Sequence, residues 1–169
     1  MSLTMGGNPI TLDGSELQVG DTAPDFTVVG KGMTDAKTLD DLTENGTKNV
    51  LLIVVPSLDT GVCSTESGKF NARLAELPAD TAAYVVSRDL PFAQARWCGA
   101  QGDVKLGMLS DARDHDFGKA FGVQIHGVGL LARSIFLIGK DKKIKYKQIV
   151  PEVGQEPDYD AVFAAASNG

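Results

Sequence analysis

Lys48-Asn49-Val50-Leu51-Leu52-Ile53-Val54-Val55-Pro56-Ser57-Leu58-Asp59-Thr60-Gly61-Val62-Cys63 holds the transition on which the fold turns. Residues 50–55 form a continuous aliphatic run rich in β-branched side chains, the pattern of a central strand covered on both faces. Pro56 ends the run, because proline has no N–H to give to a ladder. After a loop, residues 61–77 place Phe70, Leu74 and Leu77 on one helical face. A buried strand passing through a loop into a helix is the opening move of an α/β fold. Ligands of such folds collect at the carboxyl ends of the strands.

The flanks extend this reading. Leu3-Thr4-Met5, a turn at Gly6-Gly7-Asn8-Pro9 and Ile10-Thr11-Leu12 predict an N-terminal β-hairpin over about residues 3–12. Residues 25–29 predict a short strand ending at Gly30, and residues 82–86 a second buried one. Asp89 as N-cap and Pro91 in the first turn open a short helix that Gly99 is expected to end. Residues 114–121 read as a helix closed by Gly122, residues 132–138 and 144–150 as a hairpin, and residues 158–166 as a C-terminal helix. This order predicts a mixed central sheet flanked by helices on both faces. It is the order of the thioredoxin-like architecture. No repeat, low-complexity tract or linker divides the chain, so one domain is expected over residues 1–169.

Composition narrows the function. The chain has 169 residues, 43% of them apolar and 22% charged, with a net charge of −6. Lysine and arginine are scattered, which argues against nucleic acid or an anionic membrane as the main partner. No apolar run approaches the length of a membrane span. The N-terminus lacks the basic and apolar regions of a secretory signal, so a cytoplasmic location is expected. Two cysteines are too few for a disulfide-stapled secreted scaffold.

Thr60 is a good N-cap, and Cys63 falls three residues later, where a capping box carries an acidic side chain. Unpaired amide groups and the helix dipole favour negative charge there, and therefore the thiolate of Cys63. A buried, inert cysteine is the alternative. A disulfide reductase would normally show Cys-x-x-Cys, which is absent. A cysteine hydrolase needs a histidine base, and only His115 and His126 are available, both in polar or glycine-rich surroundings. Two cysteines and two histidines, all widely spaced, make a poor metal site. Cys98, in Ala95-Arg96-Trp97-Cys98-Gly99, would alone be structural; near a reactive thiol it becomes a partner for a sulfenic acid.

Pro56, Thr60 and Cys63 stand in a Pro-x-x-x-Thr-x-x-Cys pattern that resembles the active-site motif of the peroxiredoxins. The longer match is to one subgroup, the atypical two-cysteine thiol peroxidases. It takes in the whole stretch from Pro56 to Cys63, Asp89-Leu90-Pro91-Phe92-Ala93-Gln94 and Trp97-Cys98-Gly99-Ala100. It continues through Leu130-Leu131-Ala132-Arg133, Val150-Pro151-Glu152 and Glu156-Pro157-Asp158-Tyr159-Asp160, and Gly7-Asn8-Pro9 fits as well. Departures are small: Arg88 where a small or apolar residue is usual, Trp97 for a common phenylalanine, and Gly139 for a common aspartate. Arg88 and Trp97 are expected to bear on packing near Cys98.

The resemblance implies an enzyme, a thioredoxin-dependent peroxidase that reduces hydrogen peroxide and alkyl or lipid hydroperoxides without a cofactor. It assigns Cys63 as the peroxidatic nucleophile and Arg133 as the group that stabilises the thiolate and polarises the O–O bond. Thr60 becomes both cap and hydrogen-bond partner of peroxide and thiolate, and Pro56 a shield against water. Cys98 resolves the sulfenic acid by an intramolecular Cys63–Cys98 disulfide, which thioredoxin or a similar dithiol reduces. A homodimer is also implied. Leu58, Val62, Phe92 and Ile125 are apolar residues expected either around the peroxide entrance or in the core. Two other functions stay open at this point: a disulfide relay that does not consume peroxide, and a redox sensor using the same pair of cysteines.

Overall fold

The two faces of one strand organise the molecule, which a computed structural model describes over residues 2–168. Before that strand come β1 (Leu3–Met5), β2 (Asn8–Ile10), β3 (Leu12–Asp13), β4 (Thr27–Val29), β5 (Ala36–Thr38) and α1 (Leu39–Leu42). The strand itself is β6 (Asn49–Val54). It is followed by α2 (Gly61–Ala72), β7 (Thr81–Ser87), α3 (Pro91–Gln101), β8 (Gly107–Ser110) and α4 (Asp116–Ala120). The chain then forms β9 (Gln124–Ile125), β10 (Ser134–Ile138), β11 (Ile144–Ile149) and α5 (Tyr159–Asn168). Met1 and Gly169, the ends of the expected 1–169 span, lie outside the described residues.

Seven strands make one mixed sheet in the order β11-β10-β6-β7-β8-β4-β5. β6 runs parallel to β7 and antiparallel to β10, with Ile53 opposite Val85 on one side and Ile135 on the other. Every residue of β6 is buried. Because side chains alternate along a strand, Val50, Leu52 and Val54 enter one core with Phe26, Leu39, Phe117, Phe121 and Phe136. Leu51, Ile53 and Val55 enter the other, with Cys63, Phe70, Trp97, Val162 and Phe163. The first core is covered by α1 and α4, the second by α2, α3 and α5. The uninterrupted apolar run therefore serves two faces, as its composition predicts.

The hairpin of β1 and β2 is pinned by Glu152. Its carboxylate accepts from Thr4 Oγ1 at 2.5 Å and from the amides of Gly6 and Gly7, at 2.9 and 3.2 Å. These bonds, led by that from Thr4, hold the Glu152 carboxyl down at about 2. The next residue, Val153, donates its N–H to the Thr4 carbonyl and offers its own carbonyl inward. Asn8 and Pro9 belong to β2, so the turn is tighter than expected, confined to Gly6-Gly7.

Other expectations shift for identifiable reasons. The helix expected over 61–77 ends at Ala72; Arg73 pairs with Glu76 and Asp160, and Leu74–Glu76 tighten into a 3₁₀ turn. Asp89 does not cap α3: Leu90 is the N-cap residue and has no side-chain bond, while Asp89 is engaged elsewhere. Gly99 does not end that helix either. α3 runs on to Gln101, and Gly102, at φ 94°, stops it. Two short strands, β5 and β8, carry too little apolar pattern to be read from sequence. β8 fits because Gly107 leaves room for the Tyr84 ring, which a Cβ there would strike.

The two glycines should therefore respond oppositely to alanine. At Gly99 an added Cβ meets open space inside a helix, so Gly99→Ala is expected to stabilise by about 0.5–1 kcal/mol. Gly102→Ala forces a side chain into positive φ and is expected to cost about 1 kcal/mol or more. Urea unfolding of both variants checks this; a destabilised Gly99→Ala would contradict the helix boundary.

Candidate active site

At the carboxyl end of β6 the chain turns through Pro56, which is buried, and enters α2. Thr60 takes an extended conformation (φ −91°, ψ 148°), and its Oγ1 accepts the Cys63 N–H at 3.4 Å while donating to the Ser57 carbonyl at 3.0 Å. The loop is fixed from below by Asp89. One carboxylate oxygen accepts from Ser57 Oγ at 2.7 Å; the other accepts from the Leu58 amide and from Ser87 Oγ, both at 2.8 Å. Asp89 thus ties the end of β7 to the loop that carries Pro56 and Thr60.

Cys63 has no solvent exposure, and its sulfur lies 3.2 Å from Arg133 Nη2. Arg133 immediately precedes β10, the antiparallel neighbour of β6, so the register of that pair delivers the guanidinium to the start of α2. The other nitrogens of the guanidinium are used as well. Nη1 donates to Glu66 Oε2 at 2.5 Å, and Nε donates to the Val153 carbonyl at 2.7 Å. Arg133, Glu66 and Cys63 are all buried. Glu66 is one turn along α2 from Cys63, on the same face.

Glu66 is the functional residue that sequence reasoning missed. The signal lies in the spacing, since Glu66 stands at i+3 from Cys63 and shares its helical face. Burial pushes the Glu66 carboxyl up to about 7, against the pull of Arg133. Arg133 in turn is held above its ordinary value: Glu66 and Cys63 outweigh the desolvation that opposes its charge. Among the described residues, Glu66 Oε1 has no hydrogen-bond partner.

Cys98 lies on α3, partly exposed, against the core that contains Cys63, and both thiols are free. Burial pushes the Cys98 thiol up. The remaining expected residues separate. Leu58 is buried in the Cys63 core, Ile125 is buried in the opposite core, and Phe92 is exposed on α3. Val62 is half-buried on α2, and Ile125, in the opposite core, is the one of the four placed away from the Cys63 side of the sheet. Arg88 does not bear on Cys98: its side chain is buried against Asp111, Gln124 and the Gly129 carbonyl. His115 precedes α4 and is exposed, and His126, also exposed, pairs with Asp13.

The segment Glu156–Tyr159 packs against the later part of α2. Glu156 pairs with Lys69 at 2.8 Å and accepts from Tyr159 Oη at 2.7 Å, while the Tyr159 ring lies 5.1 Å from that of Phe70. Among the described residues, no helix is long and apolar enough to cross a membrane.

The chain is similar to known proteins over nearly its whole length. The Redoxin family model matches residues 18–163. A thiol peroxidase of Bacillus subtilis is 46% identical over 164 residues, covering 97% of this chain and 95% of the relative. One from Streptococcus gordonii is 46% identical over 165 residues, covering 98% of each. The crystal structure of a peroxiredoxin-like protein from Aquifex aeolicus superposes with a TM-score of 0.89 at 41% identity, covering 99% of this chain and 96% of the other. A thiol peroxidase from Chromobacterium violaceum shares the fold at 20% identity, with a TM-score of 0.86 over 100% and 97% of the two chains. The chain belongs to the Redoxin family and, within it, to the group of the thiol peroxidases.

Proposed function

We propose that this chain is a thiol-dependent peroxidase whose peroxidatic nucleophile is Cys63. The observation that carries the reading is the fully buried Cys63 sulfur, 3.2 Å from a guanidinium at the first turn of a helix. Both features favour negative charge on sulfur. The thiolate attacks the terminal oxygen of a hydroperoxide: an S–O bond forms, the O–O bond breaks, and the departing oxygen leaves as alcohol or water after taking a proton. Arg133 faces the place where charge passes from sulfur to oxygen, the arrangement that stabilises such a transfer.

Thr60 has a second role that its hydrogen bonds leave room for. A hydroxyl offers one donor and two acceptor sites. The donor is used on Ser57 and one acceptor site on the Cys63 amide, so one acceptor site is left for the O–H of the peroxide. Pro56, buried and without an N–H, closes the site against water without presenting a competing donor. Glu66 and Val153 act as positioning partners, fixing the guanidinium through the nitrogens that do not face sulfur.

The product of attack is a sulfenic acid, and Cys98 is assigned as the thiol that condenses with it, releasing water and leaving a Cys63–Cys98 disulfide. A thioredoxin-type dithiol returns the pair to thiols by exchange. Substrates are hydrogen peroxide and alkyl or lipid hydroperoxides, and the working form is a homodimer in the cytoplasm, where such reductants occur. These assignments draw on the likeness to the thiol peroxidases and on the free state of both cysteines.

Stopped-flow consumption of cumene hydroperoxide and hydrogen peroxide with a thioredoxin system tests the scheme. Cys63→Ser should be inactive; Cys98→Ser should complete one turnover and stall as sulfenic acid. Full activity in Cys63→Ser would sink the proposal. Arg133→Lys keeps the charge but loses the fork, and is expected to slow peroxide attack about 10²–10³-fold.

Glu66 predicts a pH effect on stability. Its carboxyl is raised from the ordinary 4.5 to about 7, so the folded state binds the proton more tightly than the unfolded chain does. That contribution is complete below about pH 4.5 and is lost as pH rises through about 7. Relative to Glu66→Gln, wild type should therefore lose stability between these values in urea titrations. A difference that does not change with pH would refute this.

A further inference from the structure

The helices that carry the two cysteines touch each other through the cysteines' neighbours. Trp97, which precedes Cys98 on α3, donates its Nε1–H to the Oγ of Ser64, which follows Cys63 on α2, at 3.0 Å. The indole is buried in the Cys63 core at 7% exposure. Successive helical residues are turned by about 100° from one another. While Trp97 and Ser64 face each other, Cys63 is turned to Arg133 and Cys98 lies round the side of α3. A disulfide requires the two Cβ atoms to approach within about 4 Å. Because the bonded residues are the immediate neighbours of the cysteines, turning Cys63 from Arg133 towards Cys98 also turns Ser64 away from the indole.

We propose that the Trp97–Ser64 hydrogen bond is a latch that sets how long the Cys63 sulfenic acid waits before Cys98 resolves it. Trp97 and Ser64 are positioning residues in this scheme, which rests on the assignment of Cys98 as the resolving thiol. The waiting sulfenic acid has two fates. In one, the Cys98 sulfur displaces the hydroxyl: the S–S bond forms, the S–O bond breaks, and water leaves. In the other, a second hydroperoxide is attacked, its O–O bond breaks, and the sulfur becomes a sulfinic acid with release of alcohol or water. The first fate needs the latch open. The second does not. A stronger latch therefore diverts more enzyme to over-oxidation at a given peroxide concentration.

The test compares Trp97→Phe, which keeps an aromatic ring but removes the donor, with Ser64→Ala, which removes the acceptor, and the double variant. Neither residue touches the Cys63 sulfur in the hydrogen-bond network of the site. One equivalent of hydrogen peroxide is added, and samples are quenched with a thiol-alkylating reagent and read by mass spectrometry. A typical net hydrogen bond implies that disulfide formation becomes roughly three- to tenfold faster in each single variant. The double variant should be no faster than the faster single, because one bond is lost in all three. The peroxide concentration that converts half of Cys63 to sulfinic acid should rise in parallel, with the rate of the first attack unchanged. Unchanged resolution rates, or effects that multiply in the double variant, would overturn the latch while leaving Cys98 as resolving thiol. Wild type that never loses two hydrogens after peroxide would instead remove the resolving role, and the latch with it.

Discussion

A single buried guanidinium holds the site together. Arg133 has negligible contact with water, yet its three nitrogens each meet a different partner: the Cys63 sulfur, the Glu66 carboxylate and the Val153 carbonyl. A cation so deeply buried is tolerated only when its donors are satisfied, and removing one partner from such a pair commonly costs about 3–5 kcal/mol. The surrounding elements are arranged to satisfy it. β10 supplies the arginine, α2 supplies both the sulfur and the carboxylate, and the segment after β11 supplies the carbonyl.

That last contact reaches to the far end of the chain. Val153 and Glu152 are adjacent, and while one carbonyl meets Arg133, the neighbouring carboxylate fastens the N-terminal hairpin. The hairpin therefore buttresses the segment that orients the guanidinium. On the other side of α2, Asp89 fastens the loop from Pro56 to Thr60 onto the end of β7. One carboxylate, Asp89, thus fastens the turn before Cys63, and another, Glu152, fastens the hairpin beside the Val153 segment. Such placement fits a site whose reacting atoms must be fixed within a fraction of an ångström.

Much of this was legible in the residues. The two-faced run of residues 50–55, the proline stop and the Thr60 cap follow from chain chemistry local to a few residues, and each reappears in the structure. The mixed sheet with helices on both faces follows from the order of such segments. Asp89 and Gly99 were misread for a common reason. Their residue types suit helix ends, but local propensity was outweighed by what the fold offers: unpaired groups at Ser57, Leu58 and Ser87 for the aspartate, and continued helical bonding past Gly99 that ends only at Gly102. β5 and β8 escaped notice because three or four residues at the sheet's flank carry little periodic signal.

By itself, the sequence determined which residue stands at the start of a helix, and therefore that a cysteine meets the unpaired amides there. It determined the two-core architecture too, because alternation along a strand is a property of the backbone. Only the tertiary structure decided what meets that thiol. Residues 63, 66, 133 and 153 converge through strand register and helix packing, long-range relations that no local pattern encodes. Cys98 shows the same division: its presence is written in the chain, but the contact of its neighbour Trp97 with Ser64, the neighbour of Cys63, is a consequence of how α2 and α3 pack.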